Sequence, residues 1–222
     1  MRLKRDFFLQ PTLKVAQELL GKYIVRNYKG KLIIGKIVET EAYIGPKDKA
    51  SHAYAKKEQL VKEKLKVIQE NWQRIKNYIE DKESFIKRVL RLKNAKVTKR
   101  NLAEYLKGGH IYIYLVYGNY FQLNITTYKE GYPECVLIRS LEPFNHNGYP
   151  KGPGKLCQYL KLDASFWGED VCQSKRIWLI KGENINKNDI IKARRIGIDY
   201  AGEDANLLWR FYIKNNQWVS KK

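Results

Sequence analysis

In two stretches of this chain, the side-chain pattern repeats every two residues and a glycine marks a turn. This pattern limits the folds that the chain can adopt. Residues 23–43 are rich in β-branched side chains and contain Gly30, which predicts a hairpin. Residues 110–127, HIYIYLVYGNYFQLNITT, predict a second hairpin with Gly118 and Asn119 at its tip. Further strands are predicted over residues 134–141 and within residues 189–220. Strands that follow strands favour an antiparallel or mixed sheet in an α+β fold over a doubly wound fold.

Helical periodicity occurs in three other parts of the sequence. Residues 11–20 and 152–160 each predict a helix that begins near a proline. Residues 56–97 predict a helical hairpin whose second helix is capped by Asp81. Its two apolar stripes are Val61, Leu65, Ile68, Trp72, Ile75 and Ile79, followed by Phe85, Ile86, Val89 and Leu90. We therefore expect residues 1–222 to form a single domain in which helices surround a curved, mostly antiparallel or mixed sheet.

The chain is strongly basic. Its 222 residues include 43 lysines and arginines against 23 aspartates and glutamates, which gives a formal net charge of +20 at pH 7. With 44% hydrophobic and 13% aromatic residues, it is too apolar to be a disordered basic tail. A folded domain of this charge is expected to bind a polyanion, because basic side chains neutralise phosphates and release their counterions. Nucleic acid is the first expectation and an anionic membrane surface the second, while an acidic or neutral housekeeping enzyme is excluded.

Cysteine and histidine positions argue against a disulfide framework or a metal site. The three cysteines lack CxxC spacing, so reduced, structural thiols are expected. His52, His110 and His146 lack ligand spacing, and we expect neither a catalytic metal nor a cofactor. The first apolar run is too short for a signal peptide, and no later window reaches transmembrane length. The protein is therefore expected in the cytoplasm, with direct access to nucleic acid.

One predicted strand carries two carboxylates on the same face. The two-residue period of IVETEAY places Glu39, Glu41 and Tyr43 on one side of the strand. Such a pair suits hydrolysis of a glycosidic bond, with one carboxylate activating water. The alternative is an ion pair between an edge strand and nearby lysines, because exposed glutamates on strands are common.

The aromatic hairpin offers a surface for stacking on bases. Tyr112 and Tyr114 share one face, and Tyr117 lies beside the tip, where its ring could fill the gap left by an extruded nucleotide. The alternative is a ladder of tyrosines that only packs a sheet. Asn124 and Arg139 are polar positions within apolar strands, and each needs a partner if it is buried.

The motif GPGK, residues 152–155, opens a predicted helix. Its backbone amides and Lys155 could bind a phosphate. Leu156 stands where a Walker A loop has Ser or Thr, so this is not a nucleotide-binding P-loop. A tight turn into a helix explains the motif equally well.

Six motifs together give the chain a family resemblance. They are ETEAYIGPKDKASHAY (39–54), TKRN (98–101), YIYLVYGNYFQLN (112–124), VLIRSLEP (136–143), GPGKLCQ (152–158) and RIGIDYAGE (195–203). In this order they resemble the alkyladenine, or 3-methyladenine, DNA glycosylase family. The resemblance runs from about residue 7 to residue 220, and its one long break identifies residues 56–97 as a helical insertion.

The resemblance implies a monofunctional DNA glycosylase that begins base excision repair. Such an enzyme flips an alkylated or deaminated purine out of duplex DNA and hydrolyses its N-glycosidic bond. The lesions implied are 3-methyladenine, 7-methylguanine, hypoxanthine and ethenoadenine, of which neutral purines need an acid that the sequence does not reveal. The resemblance also implies duplex DNA as the partner. We expect a monomer, since an asymmetric duplex with one lesion needs one active site, and a location in the cytoplasm with the nucleoid, or in the nucleus of a eukaryote.

Site residues are implied by motif position. The general base is Glu41, which with Arg139 and the backbone carbonyl of Ile196 holds the attacking water. The pocket for the base is formed by Tyr43, His52 and Tyr114, with Asn124 opposing the 2-amino group of guanine. Tyr117 is the intercalating wedge, and Arg100 and Lys155 are candidate phosphate contacts. Departures from the family pattern occur at Asn119, Asp199 and Asp204, where Met, Gly and Trp are usual.

Two other functions fit the same residues. A noncatalytic nucleic-acid-binding module would use the tyrosines for stacking and the lysines for phosphates, and Glu41 would be dispensable. A glycosylase-lyase would use a lysine amine to attack the sugar. The insertion, with 13 basic and 6 acidic residues, either extends the DNA footprint or is a solvated hairpin that stabilises the fold.

Overall fold

An eight-stranded antiparallel sheet forms the centre of the computed structural model, which describes residues 1–221. The strands are β1 (Tyr23–Tyr28), β2 (Lys31–Ile44), β3 (Ile111–Val116), β4 (Tyr120–Thr126), β5 (Glu134–Pro143), β6 (Ile177–Ile180), β7 (Ile190–Ala193) and β8 (Arg210–Ile213). The order in the sheet is β3-β4-β5-β2-β1-β6, and β8 pairs with both β2 and β7. The predicted α+β class with a curled antiparallel sheet is confirmed.

Both predicted hairpins are present, and positive backbone angles shape their turns. Lys29 and Gly30 form the two-residue turn between β1 and β2, with φ of 52° and 81°, as a type I′ turn requires. The loop between β3 and β4 contains residues 117–119, with φ of 51° at Tyr117 and 71° at Gly118. Its tip therefore includes Tyr117, one residue before the predicted position.

Short helices cover the sheet. They are α1 (Arg5–Phe8), α2 (Thr12–Glu18), α3 (Val61–Glu70), α4 (Trp72–Ile75), α5 (Lys82–Arg91) and α6 (Pro153–Tyr159). Helices α2 and α6 match the predicted helices over 11–20 and 152–160 to within two residues at each end. No helix within residues 1–221 is long and apolar enough to cross a membrane.

The two faces of the sheet have different roles. On one face, α2 and α6 bury apolar side chains against alternate residues of the strands in the main core. Among these are Ile111 and Ile113 of β3, Leu123 and Ile125 of β4, Val136 and Ile138 of β5, and Ala42 of β2. The intervening residues point to the opposite face, as the pleat of a strand requires. That second face carries Tyr112, Tyr114, Asn124, Arg139 and Glu41.

The helical segment differs from the sequence prediction at Asn71. The expected continuous stripe to Ile79 is wrong, because α3 ends at Glu70 and the chain bends at Asn71 before α4 begins. The predicted cap is confirmed, since a carboxylate oxygen of Asp81 accepts a hydrogen bond from the Ser84 amide at 2.7 Å.

The segment also packs onto the rest of the fold. Ile68, Ile75, Phe85 and Val89 belong to a second apolar cluster that includes Tyr112 of β3. Lys64 is buried as well, and its ammonium donates to the Leu92 carbonyl at 2.9 Å. The helices therefore lie on the same face of the sheet as the polar residues described next.

Candidate active site

Glu41 lies at the centre of a hydrogen-bond network on β2. Its side chain is fully buried, and its Oε1 atom accepts a hydrogen bond from the Ile196 amide at 2.8 Å. Its Oε2 atom accepts from the Tyr43 hydroxyl at 2.8 Å and lies 3.3 Å from an Arg139 nitrogen. These contacts hold the carboxylate in one orientation while lone pairs remain for a further donor.

Glu39 has different surroundings, although it is two residues away. It accepts hydrogen bonds from Arg139 at 3.2 Å, from Arg210 at 2.9 Å and from the Ser220 amide at 2.7 Å. The alternative of an edge-strand pair with lysines is wrong, because β2 is an interior strand and the partners of both glutamates are arginines. Glu39 therefore anchors the two arginines beneath the site.

Arg139 connects the two glutamates. Burial lowers the pKa of its guanidinium, but the charges of Glu41 and Glu39 outweigh burial, and the pKa lies above its usual value. The predicted need of Arg139 for partners is thus met within the protein. Since the guanidinium also lines a cavity, it links Glu41 to the space above the sheet.

That cavity has a volume of about 340 Å³ and collects most of the predicted site residues. Tyr43, His52, Arg100, Tyr114, Tyr117, Asn124, Arg139 and Ile196 line it. Glu41 contacts three of these lining residues, Tyr43, Arg139 and Ile196. Lys155 is not among the lining residues, and its ammonium lies 5.0 Å from the centre of the exposed Tyr149 ring. The structure therefore brings together nine of the ten predicted positions and leaves Lys155 outside.

One wall of the cavity is aromatic. The His52 ring meets the Tyr114 ring edge to face, with 4.7 Å between centroids, and its Nδ1 atom lies 2.8 Å from the Tyr112 hydroxyl. Burial lowers the pKa of His52 to about 4, with a smaller contribution from the charges of Arg100 and Lys96. The imidazole is therefore neutral at pH 7 and adds no positive charge to the cavity.

Tyr43 forms another wall, and Arg195 packs against its ring. The Arg195 guanidinium lies 4.9 Å from the centre of its ring, pairs with Asp48 at 2.8 Å and donates to the Ala42 carbonyl at 3.0 Å. Arg195 does not line the cavity, so it covers the ring on the side away from that space. Sequence reasoning did not single out Arg195 or Asp48, although both fall within the quoted motifs.

Asn124 is buried and held by its neighbours. Its amide nitrogen donates to the Tyr112 carbonyl at 3.1 Å, and its oxygen faces the Cys135 thiol at 3.8 Å. These contacts fix which end of the amide faces each neighbour.

Tyr117 and Arg100 mark the opening of the cavity. Tyr117 is 91% exposed and has a positive φ, a conformation that is uncommon for a bulky residue. Arg100 is exposed, and its guanidinium lies 4.6 Å from the centre of the Tyr114 ring. Both side chains are thus available to a large ligand that covers the opening.

Two features of the site escaped sequence reasoning. Glu104 and Tyr200 also line the cavity. A neighbouring groove of about 1200 Å³ shares His52 and Tyr200 with the cavity and is lined by Lys49, Lys56, Lys57 and Lys96. Basic side chains spread over residues 49–96 meet there only in the folded chain, so no local pattern could reveal the groove.

Two departures from the family pattern lie near Ile196. The Asp204 carboxylate accepts a hydrogen bond from the Lys49 amide at 2.8 Å, and its carbonyl accepts one from Arg195 at 3.3 Å. Asp199 is the first residue of a 3₁₀ segment, Asp199–Asn206. These contacts leave the Ile196 amide bonded to Glu41.

Comparison with known proteins identifies the family of this chain. A family model described as "Methylpurine-DNA glycosylase (MPG)" matches residues 6–71 and 90–217. The chain belongs to the methylpurine-DNA glycosylase family. Its resemblance to alkyladenine glycosylases is thereby confirmed, and it is a DNA repair enzyme that hydrolyses N-glycosidic bonds and binds DNA as its substrate.

Curated relatives of this methylpurine-DNA glycosylase cover nearly the whole chain. A protein of Methanocella arvoryzae named "Putative 3-methyladenine DNA glycosylase" is 37% identical over 234 aligned residues, 99% of this chain and 96% of the relative. Proteins of the same name from Clostridium perfringens and Clostridioides difficile are 36% and 35% identical and cover 100% and 96% of this chain, each over 100% of its own length. The span left unmatched by the family model, residues 72–89, is shorter than the insertion predicted over 56–97.

Proposed function

We propose that this methylpurine-DNA glycosylase is monofunctional and that Glu41 activates the water that cleaves the glycosidic bond. The observation that carries the proposal is the position of a buried, oriented carboxylate directly behind the residues of an aromatic cavity. No lysine occurs among the lining residues in the described part of the chain, which favours water over an amine as the nucleophile.

The reaction follows from this arrangement. A water held by Glu41, Arg139 and the Ile196 carbonyl gives a proton to Glu41 while its oxygen bonds to the sugar C1′ atom. The bond from C1′ to the purine breaks, and its electron pair leaves with the base. The negative charge of Glu41 also stabilises the oxocarbenium-like sugar in the transition state. The products are the free base and an abasic site.

The aromatic walls suit a damaged purine. Because His52 and Tyr114 contact each other, a base does not fit between them, and we infer that they form one side of the sandwich and Tyr43 the other. Alkylation at N3 or N7 makes a purine cationic, so electron-rich rings bind it better than a normal base, by about 1 kcal/mol or more in a desolvated site. A neutral His52 avoids repelling that cation.

Asn124 supplies discrimination against undamaged guanine. Its amide is held in place by Tyr112, so it cannot move aside without losing a hydrogen bond. The 2-amino group of guanine would clash with it, which opposes the binding of a normal base.

Tyr117 is positioned to act as the wedge. Its exposed ring at the tip of the β3–β4 hairpin would enter the duplex and offset part of the cost of flipping, which is a few kcal/mol. Arg100, beside the cavity, and Lys155, farther along the surface, are the proposed phosphate contacts. One damaged nucleotide in an asymmetric duplex requires one active site, so we expect a monomer that acts wherever chromosomal DNA is accessible.

The first test uses duplexes that each contain one 7-methylguanine, hypoxanthine or ethenoadenine. Purified protein and Glu41→Gln are incubated with each duplex, and strand scission is measured with and without hot alkali. We expect alkali-dependent scission by the wild type and a loss of at least 100-fold in Glu41→Gln, because general base catalysis contributes about 10²–10⁴-fold.

Glu39→Gln is the matched control for protein stability, because it removes the same charge two residues away. A loss of activity in Glu41→Gln counts as catalytic if that variant still binds the duplex. Scission without alkali would point to a lyase. Salt-sensitive binding with no scission of any duplex would point to a noncatalytic module.

A further inference from the structure

Glu104 is a buried carboxyl group in the wall of the cavity. It lies in a 3₁₀ segment, Asn101–Tyr105, and only 2% of its surface is exposed. It lines the same cavity as His52, Tyr114 and Asn124. Its position is separate from that of Glu41, which is on β2 and contacts Ile196.

One oxygen of this carboxyl group lacks a partner. Within residues 1–221, the buried Oε2 atom of Glu104 has no hydrogen-bond partner. Buried polar atoms are almost always hydrogen-bonded, and an exception needs an explanation. Arg88 and Arg195 have the other unpartnered buried atoms, but neither residue lines the cavity. The unmet hydrogen-bonding capacity of Glu104 therefore points to a ligand in this cavity.

The surroundings of Glu104 favour the neutral acid. Burial raises its pKa well above the usual value; Arg100 lowers it, and Asp48 raises it. The other titratable groups that interact with it are Tyr105, Tyr112, Tyr114 and Cys135, none of which is positively charged at neutral pH. Glu41, by contrast, has two hydrogen-bond donors and an arginine in contact. Two carboxyl groups in such different environments are the arrangement by which enzymes separate an acid from a base.

We propose that Glu104 is the general acid for neutral damaged purines. This inference rests on the proposed function, in which Glu41 is the base. The Glu104 carboxyl gives its proton to a ring nitrogen of the purine as the bond from C1′ to the purine breaks, and the electron pair of that bond leaves with the protonated base. Glu41 takes a proton from the attacking water, and solvent returns the two carboxyl groups to their starting states. A purine made cationic by alkylation leaves without this proton and does not need Glu104.

Two lesions separate this role from a structural one. Single-turnover excision is measured on duplexes that contain 7-methylguanine, which is cationic, or hypoxanthine, which is neutral. We expect Glu104→Gln, which keeps the shape and a donor but no acidic proton, to lower the hypoxanthine rate at least 100-fold. The 7-methylguanine rate should stay within about threefold. Equal losses on both lesions, or no loss on hypoxanthine, would overturn the proposal.

A pH profile of the wild type provides a test that needs no variant. The hypoxanthine rate should fall at high pH, where Glu104 loses its proton, and the 7-methylguanine rate should lack this decrease. Parallel profiles would overturn the role of Glu104. So would a wild type that excises 7-methylguanine but not hypoxanthine, although Glu41 would keep its proposed function. Absence of scission on both duplexes would overturn the proposed function itself, and this inference with it.

Discussion

Single residues at this site acquire their chemistry from distant parts of the chain. Glu39 and Glu41 have the same side chain and share a strand, yet one is bonded to Arg210 and Ser220 and the other to Tyr43 and Ile196. Both interact with Arg139. Glu39 is surrounded by hydrogen-bond donors and stabilises the fold, whereas Glu41 lies beside a cavity and can still accept a proton.

His110 gives a residue-scale prediction about pH and stability. Burial lowers its pKa to about 4, below its value of about 6.5 in unfolded chains. The unfolded state therefore binds a proton between pH 6.5 and 4 that the folded state does not, and stability falls as the pH decreases through this window. From pH 7 to pH 5, His110 should cost the protein about 2 kcal/mol.

Urea denaturation at the two pH values checks this prediction. The destabilisation caused by His110→Gln should be about 2 kcal/mol smaller at pH 5 than at pH 7. The reason is that the variant has no His110 whose protonation in the unfolded state lowers stability at pH 5. His146→Gln, at an exposed position, is the control and should show the same effect at both pH values. A destabilisation by His110→Gln that does not depend on pH would contradict the assignment.

At the scale of elements, the helical segment that contains α3, α4 and α5 packs against residues that line the cavity. Phe85 and Val89 of α5 pack in the same apolar cluster as Tyr112, whose hydroxyl contacts His52. Arg88 pairs with Glu130 at 2.5 Å, and Lys107 pairs with Glu80. The segment is thus fastened to the fold by apolar and ionic contacts.

Two identical substitutions test this supporting role. Val89→Ala removes two methyl groups from a fully buried site and should lower the free energy of unfolding by about 2 kcal/mol. Val61→Ala, in α3, where the side chain is 54% exposed, should change it by less than about 0.5 kcal/mol. Chemical denaturation measures both. Equal effects would show that α5 does not depend on this packing.

The sequence predicts elements well where the signal is local. Turn residues such as Gly30 and the cap at Asp81 were predicted because each acts on its own neighbours. The burial of Lys64 is not visible in the apolar stripe, because it depends on the bond from Lys64 to the distant Leu92 carbonyl. The break at Asn71 is likewise absent from the periodicity, which continues to Ile79. For the same reason the motifs predicted Glu41 and Tyr43 but not Glu104, whose unpartnered oxygen is visible only in the folded protein.

At the scale of the whole molecule, a groove with more basic than acidic residues lies beside the candidate active site. The groove that shares His52 and Tyr200 with the cavity is lined by four lysines but only two glutamates, Glu58 and Glu63. With a net charge of +20, the protein is expected to bind DNA with a strong dependence on salt. If the cavity holds an extruded base, the duplex on one side of that base could lie along this groove.

The double variant Lys56→Gln/Lys57→Gln tests whether the groove contacts DNA. If both lysines neutralise phosphates, the slope of log affinity against log salt should become shallower by about 2. Lys175→Gln/Lys187→Gln, at exposed positions outside both cavities, should leave the slope unchanged. Fluorescence anisotropy over a salt series measures it. Identical slopes for both double variants would exclude these two lysines from the DNA footprint.

The four groups Glu39, Glu41, Arg139 and Arg210 form a buried set whose charges sum to zero. In the proposed reaction Glu41 gains a proton, and the set becomes positive by one unit in a place that water reaches poorly. Such an imbalance is costly, and it is relieved when the proton leaves. Arg139, which contacts the Glu41 carboxylate, therefore also favours its return to the charged form, so the proposed reaction ends with the enzyme reset for the next lesion.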